Sequence, residues 1–320
     1  MTLEILKKEK ILALLTVFFL FLFVGSLLFL IGVKNREKNQ LLRSIVLQQK
    51  KEKEILQKME QIKFATSTLP EISSQAFLTL VVAENGSKKI LIQKNPDFAL
   101  PIASLTKLMT AVVVLENVNL ETKIKATTDF VGLEESAFVL EDGKFYKVKD
   151  LLANMFISSD NDSARLLSSS LGEKNFISKM NLKAKELNLT KTNFVNVTGL
   201  DPVKPAVETN ISSPNDLANL LIYIKNKYPQ ILKLTTNTSY NFCDINNYCK
   251  SVLSTNKLLD NKDFKFRIVG GKTGSTDLAL KNLVLMVELM DDVFLINIVL
   301  DSVDNFADTL VLINQVKIEN

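Results

Sequence analysis

Apolar residues fall into three regimes along the chain. Residues 11–33, ILALLTVFFLFLFVGSLLFLIGV, run unbroken without a charged position. Crossing a bilayer core takes about 20 apolar residues, so this run predicts a membrane-spanning helix. It exceeds the roughly 7–15 residues of a signal-peptide core, and no small-x-small cleavage site follows it. It therefore reads as an uncleaved signal anchor behind a short cytoplasmic N-terminus, residues 1–10. Residues 34–73 are rich in Lys, Glu and Gln, with Leu41, Ile45, Ile55, Met59 and Ile62 at helical spacing. That pattern predicts a polar helical stalk ending in a linker at residues 65–70. A packed domain is expected over residues 74–320.

Within that domain the apolar period changes twice. Residues 77–84 and 88–93 are strand-like and flank Asn85-Gly86, a strong hairpin signal. Helical patterning dominates from about 104 to 230. Strand-like runs return at 267–271, 283–289 and 293–300, and a last helix is expected over 305–317. Two strands, a helical block, three strands and a helix predict an α/β chain, with an antiparallel sheet flanked by helices and a mostly helical insertion.

Charge sharpens the division. The net charge of +4 is concentrated at the N-terminus, where residues 1–70 hold 12 Lys+Arg against 6 Asp+Glu. The remainder carries 27 against 29, so the domain presents no basic surface for nucleic acid, and a membrane is the expected neighbour of the basic appendage. The chain has no histidine and only two cysteines, which excludes the usual zinc sites; no metal or cofactor is expected. Five residues separate Cys243 from Cys249 across a predicted hairpin loop, as a disulfide or as two free thiols.

Without histidine, a serine nucleophile needs another base. Ser104-Leu-Thr-Lys107 offers one, because residues three apart share a helix face. The serine opens an apolar helix, where free backbone N–H groups and the helix dipole favour negative charge. Burial lowers a lysine pKa, which a lysine base needs. The pattern alone is common and recurs at Ser254–Lys257; Ser-x-Asn occurs at 159–161, 213–215 and 254–256. Ser159-Asp-Asn161 lies between two predicted helices, where its side chains either face a cleft or cap a helix. Gly270-Gly-Lys272-Thr273-Gly274-Ser275 follows a strand, where glycines let a substrate backbone approach and Lys272 and Thr273 offer charge and a hydroxyl to a carboxylate.

SxxK, SxN and KTG in this order resemble the penicillin-recognising serine enzymes, and among them the D-alanyl-D-alanine carboxypeptidases of low molecular mass. Ala103–Ala111, Asn161–Ala164, Thr192–Phe194, Thr198–Leu200 and Thr255–Leu259 extend the likeness over about residues 75–315. The resemblance implies a β-lactamase/transpeptidase-like fold and a serine hydrolase acting on peptidoglycan stem peptides, with β-lactams as inhibitors. Ser104 is then the nucleophile, Lys107 its base and Ser159 a proton relay. Asn161 holds Lys107 and the substrate amide. Lys272 and Thr273 attend the substrate carboxylate, and backbone N–H groups of Ser104 and of Ser275, beyond Gly274, form the oxyanion hole.

Two departures bear on specificity. Many family members carry an arginine after the last strands for the terminal carboxylate, and residues 301–308 contain none. The family's Ala-Gly after KTG is Ala279-Leu280 here. A D,D-endopeptidase is therefore an alternative to the carboxypeptidase. A class A-like β-lactamase is another, although residues 193–202 lack the glutamate that serves deacylation there. A wall-binding protein with a weak site is the non-enzymatic alternative. Counting the basic residues flanking the anchor puts the domain in the cytoplasm, but large domains translocate regardless of such charge. A peptidoglycan substrate puts it on the extracytoplasmic side of the cytoplasmic membrane.

Overall fold

The structure is a computed structural model that describes residues 2–66, 68–132, 140–203 and 208–319. The side chains of Lys7, Lys10 and residues 11–13 lie outside the described residues. Two compact units are present, residues 1–57 and Lys58–Asn320. The first is carried by α1, Thr2–Glu60, whose apolar stretch has a mean hydropathy of 2.9 and is long enough to cross a membrane.

The second unit is built on five antiparallel strands. These are β1 (Ala76–Ala83), β2 (Lys88–Lys94), β3 (Arg267–Thr276), β4 (Leu280–Met290) and β5 (Val293–Ser302), in the order β3-β4-β5-β1-β2. Every residue of β1 is buried, as the continuous run AFLTLVVA requires of a strand covered on both faces. The β1–β2 turn uses Asn85-Gly86 as expected, with Gly86 at φ +87° and Asn85 Oδ1 accepting from Ser87 N at 3.0 Å.

Alternate residues of β1 serve opposite layers. Leu78, Leu80 and Val82 join the main core against the helical insertion, and Phe77 packs with Val299 and with Leu312 of α8 (Asn305–Asn314). The insertion holds α2 (Lys107–Asn117), α3 (Val148–Ile157), α4 (Asn161–Ser169), α5 (Glu173–Glu186), α6 (Pro214–Lys227) and α7 (Pro229–Leu234). In α2, Lys107 to Val114 are all buried, so this helix is the axis of the block. At roughly 25 cal/mol per Å² of apolar surface removed from water, such an all-round core helix is held by burial more than by helix propensity.

Two boundaries differ from expectation. The compact unit starts at Lys58, ahead of Ser74, because Ile62–Phe64 pairs with Val316–Ile318 and Ala65 N donates to Gln315 O at 2.8 Å. That same pairing stops α8 at Asn314, short of the expected 317. Both strands are three residues long, too short for a period of two to register in the sequence. The Cys243–Cys249 alternative resolves as a disulfide, closing the hairpin Ser239–Cys243/Cys249–Leu253.

Candidate active site

The nucleophile segment follows Leu100–Pro101, which pairs with Ile211–Ser212. Residues Ala103–Thr106 form a 3-10 turn that continues into α2, with Ala103 held at φ +47°. Lys107, fully buried at the first position of α2, places Nζ 2.8 Å from Ser104 Oγ. Nζ also donates to Asn161 Oδ1 at 2.6 Å and to the Thr198 carbonyl at 3.0 Å. Three neutral oxygens thus aim the amine at the serine.

The SDN segment divides its residues among different tasks. Asp160 caps α4 by accepting from Ser163 N at 2.7 Å. That cap fixes Asn161 at the first helical position, pointing at Lys107. Ser159 takes φ +61°, a conformation most non-glycine residues avoid, and so leaves the α3 path toward the cleft. Ser158 Oγ and Asn154 Oδ1 share a 2.8 Å hydrogen bond, and Asn154 Nδ2 donates to Ser163 Oγ at 2.9 Å, tying α3 to α4 beneath Ser159.

The third motif enters on β3. Lys272 is buried, and its Nζ donates to Ser159 Oγ at 2.7 Å and to Thr273 O at 2.8 Å. Burial, and then the neighbouring Lys107 charge, push Lys272 well below the ordinary lysine value of 10.5. Thr273 faces the cleft with its hydroxyl 2.6 Å from that of Thr255. Gly274 is where the edge strand passes the nucleophile turn. A Cβ there would meet Ile102 O at 2.8 Å and Ser104 N at 3.1 Å. The other Ser-x-Asn and SxxK occurrences have different uses. Ser213 caps α6 by accepting from Asp216 N at 3.2 Å, and Ser254 accepts from Asn256 N at 3.2 Å.

Ser104, Ser159, Asn161, Thr273, Gly274 and Ser275 meet around one cleft of about 400 Å³, with Lys107 and Lys272 beneath its surface. Ser158, Thr255, Lys281, Asn305 and Phe306 complete the lining, and none of the described lining residues is a carboxylate. Lys281, Asn305 and Phe306 lie outside the motifs, as do the groups that steady Lys107. Asn210 Nδ2 donates to Thr106 Oγ1 at 2.9 Å, and Thr110 Oγ1 donates to Val197 O at 2.7 Å. Asn196 Oδ1 accepts from Gly199 N at 2.7 Å. Together they fasten the 195–200 loop to α2 and present Thr198 O to the amine. The only sequence signal for this loop is the Thr198–Leu200 match within the wider family likeness.

The low-set Lys272 has a measurable consequence for stability. The unfolded chain binds a proton that the folded chain sheds, so unfolding free energy rises with pH in a window that ends near the ordinary value of 10.5. Denaturant midpoints measured between about pH 7 and pH 10 are expected to show this rise and to lose it in Lys272→Met. Equal pH slopes in the two proteins would remove the assignment.

A serine and an amine 2.8 Å apart, facing a cleft edged by a glycine-bearing strand, define a serine acyl-transfer enzyme. The D-alanyl-D-alanine carboxypeptidase family model (peptidase family S11) matches residues 63–304, and the chain belongs to that family. It is a serine peptidase of the penicillin-binding group, with the fold and enzyme class the motifs imply. The D-alanyl-D-alanine endopeptidase of Escherichia coli K12 is 32% identical over 223 residues, 67% of each chain. The D-alanyl-D-alanine carboxypeptidase DacF of Bacillus subtilis is 33% identical over 162 residues, 48% of this chain and 40% of that one. The matched stretch thus spans well under half of DacF. Among solved structures, ampicillin-bound penicillin-binding protein D2 of Listeria monocytogenes superposes with a TM-score of 0.66 at 29% identity, over 78% of this chain and 99% of that one.

Proposed function

We propose that the chain is a membrane-anchored D,D-peptidase that cleaves the D-alanyl-D-alanine bond of peptidoglycan stem peptides and is acylated by penicillins, with removal of the terminal D-alanine as its main reaction. The observation that carries this reading is the Ser104–Lys107–Asn161 geometry, joined to the Ser159–Lys272 pair across one cleft. Ser104 Oγ forms the ester bond to the penultimate D-alanine carbonyl as its proton passes to Lys107 Nζ. The scissile C–N bond breaks as the leaving amine takes a proton through Ser159. Lys272 Nζ orients the Ser159 hydroxyl, and its burial beside Lys107 disfavours a second charge in the pair. The N–H groups of Ser104 and Ser275 receive the carbonyl oxygen. Water then cleaves the ester by the same proton path in reverse. A lactam acyl group stays on Ser104, since none of the described residues lining the cleft is a carboxylate that could activate water in the class A manner.

Residues 11–33 act as the anchor, residues 34–57 as the stalk, and the compact unit that starts at Lys58 as the catalytic part, with that unit outside the cytoplasmic membrane. The disulfide supports that side, because such bonds persist in oxidising compartments. A C-terminal reporter active only in the cytoplasm would overturn the orientation.

The direct test exposes the full chain in detergent to a fluorescent penicillin and to a D-Ala-D-Ala-terminated stem peptide. Stable labelling and D-alanine release, both lost in Ser104→Ala, are expected. Wild-type protein that neither labels nor cleaves ends the catalytic reading and leaves the wall-binding one. Rapid turnover of the penicillin would favour a lactamase.

A further inference from the structure

Two cleft residues hold polar groups that the acyl-transfer scheme does not use. Lys281 opposes Ser275 in the β3–β4 ladder. Directly opposed residues of an antiparallel pair project to one face, as do residues two apart on a strand. Lys281 therefore stands on the face that carries Ser275 and Thr273. It is exposed, lines the cleft and makes no ion pair among the described residues. Lys272, the cation of the KTG motif, sits beneath the cleft, bonded to Ser159 and held low by burial. Among the described residues that line the cleft, the cation available to an entering carboxylate is thus Lys281.

Asn305, at the start of α8, is only 3% exposed and also lines the cleft. Its Nδ2 donates to Asn282 O at 2.8 Å, which fixes the orientation of the carboxamide. Oδ1 is then left buried with no partner among the described residues. A buried acceptor without a donor is costly, and in a binding cleft the natural supplier is the ligand. Phe306 beside it offers an apolar surface.

Resting on the peptidase reading above, we propose that Lys281 and Asn305 form a leaving-group subsite. The Lys281 ammonium takes the carboxylate of the departing residue, a task for which residues 301–308 provide no arginine. Asn305 Oδ1 takes an N–H donor on a departing group larger than D-alanine. D-alanine commits its only nitrogen to the scissile bond and brings nothing for Oδ1. The second stem peptide of a cross-link carries further amide N–H groups and an aliphatic arm that fits against Phe306. The subsite therefore extends the activity to cross-linked peptides, by the same acyl-enzyme chemistry with a different amine leaving.

Three probes test this in the full chain: a D-Ala-D-Ala-terminated stem peptide, its C-terminal carboxamide, and a cross-linked stem-peptide dimer. Wild type is expected to prefer the carboxylate peptide over its carboxamide about tenfold or more in kcat/KM; Lys281→Met abolishes the preference and Lys281→Arg keeps it. Asn305→Ala is expected to lower the kcat/KM ratio of dimer to linear peptide about tenfold. An unchanged carboxylate preference in Lys281→Met removes the first part, and an unchanged ratio in Asn305→Ala, with wild-type penicillin labelling, removes the second. Wild-type protein that labels with penicillin and cleaves the linear peptide but not the dimer overturns the extended activity alone. Failure to label or cleave at all overturns the peptidase reading along with it.

Discussion

Lys107→Met is expected to slow acylation of Ser104 by about 10²–10⁴-fold, the range that general-base catalysis contributes. Methionine keeps the length and apolar stem of the side chain, so the interior of α2 stays filled. What goes is the nitrogen 2.8 Å from Ser104 Oγ. Among the described residues, the other buried amine at the site is Lys272, and its hydrogen bonds go to Ser159 Oγ and Thr273 O, so it has no direct path to the Ser104 proton; Lys281 lines the cleft without a hydrogen bond to Ser104. The substitution leaves Asn161 Oδ1 and Thr198 O facing a thioether, which costs some stability. Labelling by a fluorescent penicillin gives the rate, and circular dichroism at the same temperature shows whether the fold persists. A folded variant that acylates within tenfold of wild type would mean that another group takes the proton.

Chemistry was legible where it was local. Ser104 and Lys107 share one turn, so their spacing alone brings them together. The hairpin at Asn85-Gly86 is equally local, because the turn type demands those residues. Ser159, Asn161 and Lys272 were legible by order along the chain, and topology, not spacing, sets their distances. The groups read poorly were those whose role depends on a backbone atom or a distant strand. Thr198 contributes its carbonyl, and any residue has one. Lys281 and Asn305 reach the cleft through the ladder register and the start of α8, which no window of sequence reveals. The order of motifs gives Lys272 a charge that attracts the substrate carboxylate and helps keep Lys107 neutral; its bond to Ser159 Oγ comes from burial and topology, which no window of sequence reveals. The segment 62–64 was hidden for a related reason, since its partner strand lies at the other end of the chain.

Gly199→Ala is expected to damage the site as severely as losing the base, although the residue has no side chain to contribute. Gly199 has φ +91°, and a Cβ there would fall 1.9 Å from Ala103 O, 2.2 Å from Ala103 C and 2.9 Å from Ser104 N. These are backbone atoms of the nucleophile turn, already held at φ +47° at Ala103, and cannot turn aside as a side-chain tip does. Either the 195–200 loop withdraws, taking the Thr198 carbonyl from Lys107, or the turn moves and Ser104 leaves its place beside the amine. Both outcomes misplace a catalytic group by about 1 Å, which costs on the order of 10²-fold in rate. The backbone strain adds about 1–3 kcal/mol of destabilisation. Gly143→Ala separates the two effects, because Gly143 has φ +77° but open space where its Cβ would project. It is expected to lose stability and keep its acylation rate, whereas Gly199→Ala loses both. Acylation at the wild-type rate in Gly199→Ala would show that the loop does not hold the nucleophile turn in register. The catalytic distance between Ser104 and Lys107 would then be set by α2 alone.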